Sequence, residues 1–584
     1  MCGICGILDS SQSKSINKDI LKRMNDAMSN RGPDSEGYFF SDNIALAHRR
    51  LSIIDLKTGD QPISNEKKDI WLICNGEIYN YKELRKQLIL KNHSFKTESD
   101  SEVIIHGYEE YGIDFFKKLN GMFAFALWDN DKKKLILSRD RFGIKPLYYS
   151  FQNNVFAFAS EIKAIFENGI FKKSVDRNSI AYYMLCLNQL NGNTMFENIK
   201  TLLPGTALEF YDKKYKITRY WSISDAIYKP CNEKDYVEKI AVLLECAVNR
   251  NLMSDVSYSS LLSGGLDSSL VSSIANASTK SGLRTYAMEY KNNSEIANLN
   301  SDEKNAKIMA NHMNSKHSSY IFDTNDYKNV FETVTKAVEK PIDLTSVSLY
   351  LLYSKIAGDS KVVLTGEGAD ELFGGYYFFD KGTVDKGFPW IPYYDTIKAI
   401  FSDNIDNNYD EAIANYKNDF YSELNDLDNN NKKLCLYVSN YLIDMLERQD
   451  KTSMSFGIEA RVPYLDNDLV DAVIKMPFIL KSGENHDKHL LKMIAKQWLP
   501  DCIINRKKKP IPMPVDPKTI INQKRKAQEL IKSKNSYISY YFDKNKASDL
   551  FEKKSMFSKI DNLSIFRISY AMLALETWHK VFDI

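Results

Sequence analysis

The first residue of this chain with chemistry to offer is Cys2, which follows Met1 and is small enough for the initiator methionine to be removed. Its α-amine would then be free. An amine with a pKa near ~7.7 to 8.0 can take the thiol proton directly or through a water, so nucleophile and base belong to one residue and no histidine is required. Residues able to hold an amino-acid amide follow at intervals. Arg31, Gly32, Pro33 and Asp34 read as a turn, His48 to Leu51 sets Arg50 beside a strand, Asn75, Gly76 and Glu77 follow a strand ending in Cys74, and Ser99 and Asp100 open a helix. This set supplies a guanidinium for an α-carboxylate, carboxylates for an α-ammonium, and an Asn side chain with a Gly amide for an oxyanion. Cys2 and Cys5 also form a C-x-x-C, but no second C-x-x-C or nearby histidine pair completes a zinc site, and no strand precedes it as in a thioredoxin motif.

A second set lies far along the chain. Ser263, Gly264, Gly265, Leu266, Asp267, Ser268 and Ser269 follow an apolar strand and open a helix, where bare backbone amides and the positive dipole end favour phosphate. No G-K-[ST] follows, so this is not a Walker A loop; it resembles the PP-loop of synthetases that cleave ATP to AMP and pyrophosphate. Thr365 to Tyr376 (TGEGADELFGGY) follow another strand, expected at the same carboxyl edge where open α/β sheets bind ligands. Asp267 and Asp370 can then hold Mg²⁺ on the ATP phosphates, because Mg²⁺ takes a few carboxylates plus phosphate oxygens. Each acid alone would equally suit a helix N-terminus.

These residues need rigid elements behind them. Residues 1 to about 200 read as short strands, Ile70 to Cys74, Phe123 to Trp128, Lys134 to Ser138 and Val155 to Ser160 among them, interrupted by helices over Asn17 to Met28 and Asp100 to Tyr111. An α+β layered domain is expected, bounded at 2–210. The WDND run at Trp128 to Asp131 lacks the Gly and Glu of a calcium loop and reads as a hairpin turn. Trp221 to Lys234, with Pro230, reads as a linker. A second domain over 235–584 opens with alternating strands and helices, which predicts a parallel sheet: strands at Tyr258 to Leu262, Leu283 to Tyr290, His317 to Phe322 and Lys361 to Thr365, helices near Asp267, Asp302, Tyr327 and Ser346. After about residue 380 helices are expected, joined by loops such as Asp426 to Lys433. The 584 residues exceed what one core holds, in keeping with two domains. A formal charge of +2 demands neither nucleic acid nor an anionic membrane, and no apolar run approaches the roughly 20 residues of a membrane helix. Eight scattered cysteines and no leader-like N-terminus predict a reduced, cytoplasmic protein.

CGI at the start, RGPD, HRRLSIIDL, NGEIYN, SDSE and RDRFGIKPLYY together resemble the glutaminase domain of class II, N-terminal-nucleophile glutamine amidotransferases. With SGGLDSS, GEGADELFGGY and a segment carrying Arg448, Asp450, Lys451, Met454 and Glu459 to Asp466 (EARVPYLD), the chain resembles glutamine-hydrolysing asparagine synthetases over nearly its whole length. The resemblance implies an N-terminal layered α/β/β/α fold and a C-terminal PP-loop α/β fold. It implies Cys2 as nucleophile, Arg50, Glu77 and Asp100 holding glutamine together with Asn75, and Asn75 with the Gly76 amide as oxyanion hole. ATP would lie on Leu262, Ser263, Gly264, Gly265, Asp267, Ser268, Met288, Thr365, Gly366 and Glu367, with Mg²⁺ on Asp267 and Asp370. Glu367 would help ammonia attack the acyl-adenylate. The R-x-K pattern after an L-P turn matches Leu499, Pro500, Arg506 and Lys508 and implies Lys508 over the α-phosphate, offsetting charge as the carboxylate attacks. Substrates would be glutamine, aspartate and ATP, with an internal ammonia path and a homodimer. Acceptor residues are the least legible: Pro341 to Tyr350 and Lys509 to Asp516 are candidates, and a sugar uronate, a peptide or a natural-product acid is the alternative to aspartate. A non-catalytic binder of glutamine or nucleotide is disfavoured by the intact chemical residues.

Overall fold

The structure is a computed structural model; it describes every residue except 1, 12–15, 228–231, 281, 292–301, 377–387, 389, 390, 392, 407, 485, 486, 510 and 514–516, and at 517 and 518 the backbone alone. Twelve short strands come first among the described residues: β1 (Gly3–Asp9), β2 (Ser35–Phe40), β3 (Ile44–Arg50), β4 (Ile63–Ser64), β5 (Ile70–Ile78) and β6 (Gly121–Asp129). They continue with β7 (Lys134–Arg139), β8 (Tyr148–Gln152), β9 (Val155–Ala159), β10 (Lys200–Thr201), β11 (Thr206–Tyr211) and β12 (Lys214–Arg219). They form two six-stranded sheets, ordered β10-β8-β9-β1-β3-β2 and β12-β11-β7-β6-β5-β4.

Strand alternation decides the layers, since successive side chains point to opposite faces. Ile4 and Leu8 of β1 join Ile73 of β5 and Ala124, Ala126 and Trp128 of β6 in the core between the sheets. Cys5 and Ile7 point the other way, onto Leu21 and Met24 of the Lys18–Asp26 helix. Leu72 and Cys74 of β5 pack outward beneath Leu84 and Leu88 of the Tyr81–Ile89 helix and Val103 and Ile104 of the Glu102–Tyr111 helix. Helix, sheet, sheet, helix is the layered α/β/β/α architecture expected.

The third sheet is parallel throughout: β13 (Tyr258–Leu261), β14 (Arg284–Tyr290), β15 (Lys316–Phe322), β16 (Val362–Leu364) and β17 (Glu459–Arg461), in the order β15-β14-β13-β16-β17. Both faces are covered, one by a core containing Leu262, Ala287 and Leu364, the other by one containing Tyr286, Met288 and Val363. The order reverses between β13 and β16, and at such a switch point the loops leaving the two carboxyl ends part to form a crevice.

Three local expectations are corrected. β5 does not stop at Cys74: Asn75, Gly76 and Glu77 pair with Ala124, Phe123 and Met122 of β6, so the oxyanion candidates sit in a strand and not in a turn after it. Asp426 to Lys433 is not wholly loop, because Asp428 caps the Asn429–Leu436 helix by accepting from Asn431 N at 2.9 Å. Glu459 to Arg461 is an edge strand, its pattern too short to signal one. Within the expected linker, Ile223–Asp225 forms a short 3-10 turn and the Glu233–Asn251 helix begins, while Pro230 lies outside the described residues. No helix among the described residues is long and apolar enough to cross a membrane.

Candidate functional site

Cys2 is buried just before the central strand β1, where its backbone N donates to Asn75 Oδ1 at 3.0 Å and its carbonyl accepts from Arg31 Nε at 3.1 Å. Burial pushes its thiol pKa up, with the Leu51 amide opposing. The sulfur therefore needs a base at hand. His48, across from Ile4 in β3, is not that base: its Nε2 faces Cys74 O at 3.2 Å, and burial holds its pKa down to about 3. Asn75 is fully buried, and with Oδ1 spent on Cys2 its Nδ2 has no partner. A buried amide donor left unpaired costs free energy unless a ligand accepts from it. Gly76 beside it must be glycine, because a Cβ there would lie 2.1 Å from Met122 O.

The acids predicted to hold an α-ammonium do gather here. Burial, then the nearby Glu459 and Asp100 charges, push the Glu77 carboxyl well up. Burial raises Asp100 to about 6 even though its Oδ2 accepts from Ile78 N at 2.6 Å. Such a cluster favours a cation. Arg50 ends β3 next to Leu51, with one nitrogen on Asp60 at 2.9 Å and another on the carbonyls of Ile54 and Asp55.

At the switch point, the loop after β13 is closed by its own serines: Ser263 Oγ and Ser268 Oγ lie 3.0 Å apart, and Gly265 N donates to Ser263 Oγ at 3.3 Å. Leu262 N stays in register with β14, donating to Tyr286 O at 2.8 Å. Gly264 has φ of +69° and packs so closely on the Asp302–Met313 helix that a Cβ would lie 2.4 Å from Ala306 N. Arg506 pins the same loop, donating to Ser263 O at 3.2 Å and pairing with Asp302. The loop after β16 lies against it, a Cβ on Gly366 falling 2.8 Å from Ser268 N. Thr365 N donates to Arg461 O at 2.9 Å. Met288 is buried on β14 among Tyr286, Tyr290 and Val363, a core position.

Asp267 and Asp370 converge on one ammonium, Lys488 Nζ, at 2.5 Å and 2.6 Å, and Lys508 also pairs with Asp370. Two carboxylates sharing a cation between the loops after β13 and β16 fit a hard, oxygen-seeking ion such as Mg²⁺. The two lysines outweigh burial and hold Asp370 below the ordinary carboxylate range. Sequence reasoning missed Lys488; it belongs to no motif read there, and it meets the acids only because residue 488 takes a left-handed turn, φ 62°, at the start of the His489–Ala495 helix. Glu367 lies 3.7 Å from Arg448 Nη2, and burial pushes its carboxyl up against that opposing charge. Arg448 also pairs with Asp343, inside the Pro341 to Tyr350 segment, at 2.7 Å. Lys509 to Asp516 lies partly outside the described residues.

The two centres are tied together by the segment from Arg448 to Arg461. On the Leu442–Met454 helix, Arg448 faces Glu367 while Asp450, two residues on, pairs with Arg31 at 2.8 Å. From β17, Arg461 reaches Glu77 at 3.5 Å and Glu459 at 2.5 Å. Leu51, next to the Cys2 sulfur, packs with Ile53, Val362 and Met454 in an apolar cluster between the two halves. Sequence reading noticed Arg31, Arg448, Asp450, Glu459 and Arg461 without giving them a role, since only the fold brings Arg31 onto Asp450 and Glu77 onto Arg461.

Models for a glutamine amidotransferase domain and for asparagine synthase match residues 1–221 and 239–580. Asparagine synthetase (glutamine-hydrolyzing) 3 of Bacillus subtilis is 31% identical to the chain, covering 100% of it and 99% of the relative. A second Bacillus subtilis protein, asparagine synthetase (glutamine-hydrolyzing) 1, is 30% identical with 88% and 87% covered. Asparagine synthetase B (glutamine-hydrolyzing) of Escherichia coli is 31% identical with 87% and 81% covered.

Proposed function

The chain belongs to the family of glutamine-hydrolysing asparagine synthetases, and from that premise we propose that it makes asparagine, glutamate, AMP and pyrophosphate from aspartate, glutamine and ATP. Cys2 attacks the glutamine amide, its own α-amine taking the thiol proton once Met1 is removed. Asn75 Nδ2 and the Gly76 amide receive the oxyanion, Arg50 the α-carboxylate, and Glu77 with Asp100 the ammonium. Collapse of the tetrahedral intermediate breaks the C–N bond and expels ammonia, leaving a thioester on Cys2 that water then hydrolyses to glutamate. Across the molecule, Ser263 to Ser268 with Leu262, Thr365 and Gly366 cradle ATP, while the Met288 side chain, buried in the core behind β14, is not counted among its contacts. Lys508 offsets charge at the α-phosphate as the aspartate β-carboxylate attacks and pyrophosphate leaves. Asp267 and Asp370 would hold Mg²⁺, which when bound supplies charge neutralisation at the phosphates. Glu367 takes a proton as ammonia attacks the acyl-adenylate, a role its raised pKa suits.

The observation that carries the reading is the helix on which Arg448 and Asp450 hold Glu367 and Arg31, one contact in each centre. It supports passage of ammonia along the Leu51, Val362 and Met454 cluster. We take 2–210 and 235–584 as the two functional units, and the substrates suit a cytoplasmic enzyme, a homodimer by family likeness. The test is to follow asparagine, AMP and pyrophosphate together with glutamine, aspartate and MgATP supplied. All three should appear only when aspartate is present; glutamate alone would mean another acceptor.

A further inference from the structure

Away from both centres, His93, His106 and Glu109 bring three metal-ligating atoms within 4.8 Å of one another. His106 and Glu109 lie three residues apart on the Glu102–Tyr111 helix, so their side chains leave the same face. His93 arrives from the end of the Tyr81–Ile89 helix, where Asn92 takes a φ of 71° and the His93 amide donates to Leu88 O at 3.2 Å. Glu109 Oε2 is 2.8 Å from His106 Nδ1 and 3.6 Å from His93 Nδ1. The far nitrogen of each ring faces a further carboxylate: His106 Nε2 is 3.6 Å from Glu102 Oε1, and His93 Nε2 is 3.4 Å from Glu110 Oε2. Glu102 is held in turn by the amides of Lys96 and Thr97, each at 2.8 Å, and Glu109 Oε1 accepts from Asn65 Nδ2 at 2.8 Å.

We propose that His93 Nδ1, His106 Nδ1 and Glu109 Oε2 bind one divalent transition-metal ion, zinc in the first instance, with water as fourth ligand. Tetrahedral zinc with bonds of about 2.0–2.1 Å sets its ligand atoms about 3.3 Å apart, so the two Glu109 separations need adjustment by about 0.3–0.5 Å, while the two histidine nitrogens, within 4.8 Å of each other, must close by as much as about 1.5 Å. A carboxylate behind each imidazole is the outer-shell arrangement that fixes the ring and strengthens it as a ligand. Two nitrogens and one oxygen disfavour Mg²⁺ and Ca²⁺, which prefer all-oxygen sets. The rival is a metal-free network in which protons on His106 and His93 bridge Glu102, Glu109 and Glu110, and direct metal titration separates the two. A bound ion ties two helices together close to Asp100, two residues before the second of them begins.

Metal-stripped full-length protein is titrated with Zn²⁺ by calorimetry and with Co²⁺ by absorption, alongside His93→Ala and Glu109→Gln. The expected result is one-to-one binding in the unaltered protein, a Co²⁺ spectrum without sulfur charge transfer, and a loss of roughly tenfold or more in both variants. Unchanged Tm of the ion-free variants shows that they fold. Equal affinity in all three proteins, thiolate ligation of Co²⁺, or no binding by the unaltered protein overturns the site.

Discussion

Cys2 and Asp100 show how much a residue's surroundings alter what its type suggests. Cys2→Ala is expected to abolish asparagine formation from glutamine and to leave synthesis from added ammonium; assays with the two nitrogen donors check this, and equal loss with both would contradict the division of labour. Burial pushes the Asp100 carboxyl up to about 6, and the role proposed for it against the glutamine ammonium requires it ionised. Its charge is present above that pH and lost below it, so kcat/KM for glutamine is expected to fall as pH drops through about 6, with no such limb in the ammonium reaction. A limb near the ordinary Asp value of about 3.9 would dismiss this assignment. Cys2, Asn75 and Asp100 could be singled out as candidates because the proposed chemistry needs particular types in a particular order, and the fold does bring Asn75 onto Cys2. Lys488 could not be, because a lone lysine carries no such pattern.

At the scale of elements, β5 matters most. Its expected end at Cys74 followed from apolar residues giving way to polar ones, yet ladder hydrogen bonds to β6 carry the strand on to Ile78. Asn75 and Gly76 are thus held by a sheet rather than by a mobile turn, and an oxyanion hole benefits from that rigidity. Gly76→Ala would force a methyl to within 2.1 Å of Met122 O. The β5–β6 pair must then part, with an expected cost of about 1–3 kcal/mol and loss of glutaminase activity, while ammonium-dependent synthesis persists. Thermal unfolding and paired assays check both; a variant with unchanged Tm and full glutaminase activity would refute the close packing.

Over the whole molecule, the Arg31–Asp450 pair is buried on both sides and joins the thiol centre to the helix that carries Arg448. Breaking a buried pair by removing one charge costs about 3–5 kcal/mol. Asp450→Asn keeps the shape and removes the charge, so Tm is expected to drop. The glutamate formed per asparagine is expected to rise above one, because Cys2 is no longer positioned through Arg31 relative to Glu367. Quantifying both amino acids in one reaction tests this, and a ratio still at one would place the coupling elsewhere.

Composition and motif order by themselves gave the two fold types and the order in which the candidate nucleophile, the glycine-rich loop and the acids beside it occur, since these follow from hydrophobic periodicity and residue type along the chain. Only the tertiary structure decided that Lys488 bridges Asp267 and Asp370, that Arg461 of the third sheet, paired with Glu459, reaches Glu77, and that Arg448 and Asp450 face Glu367 and Arg31. The physical reason is separation along the chain. A contact between Glu77 and Arg461 depends on how the antiparallel sheet and the parallel sheet pack, and that packing is set by the summed shape of their buried faces, which no short stretch of sequence contains.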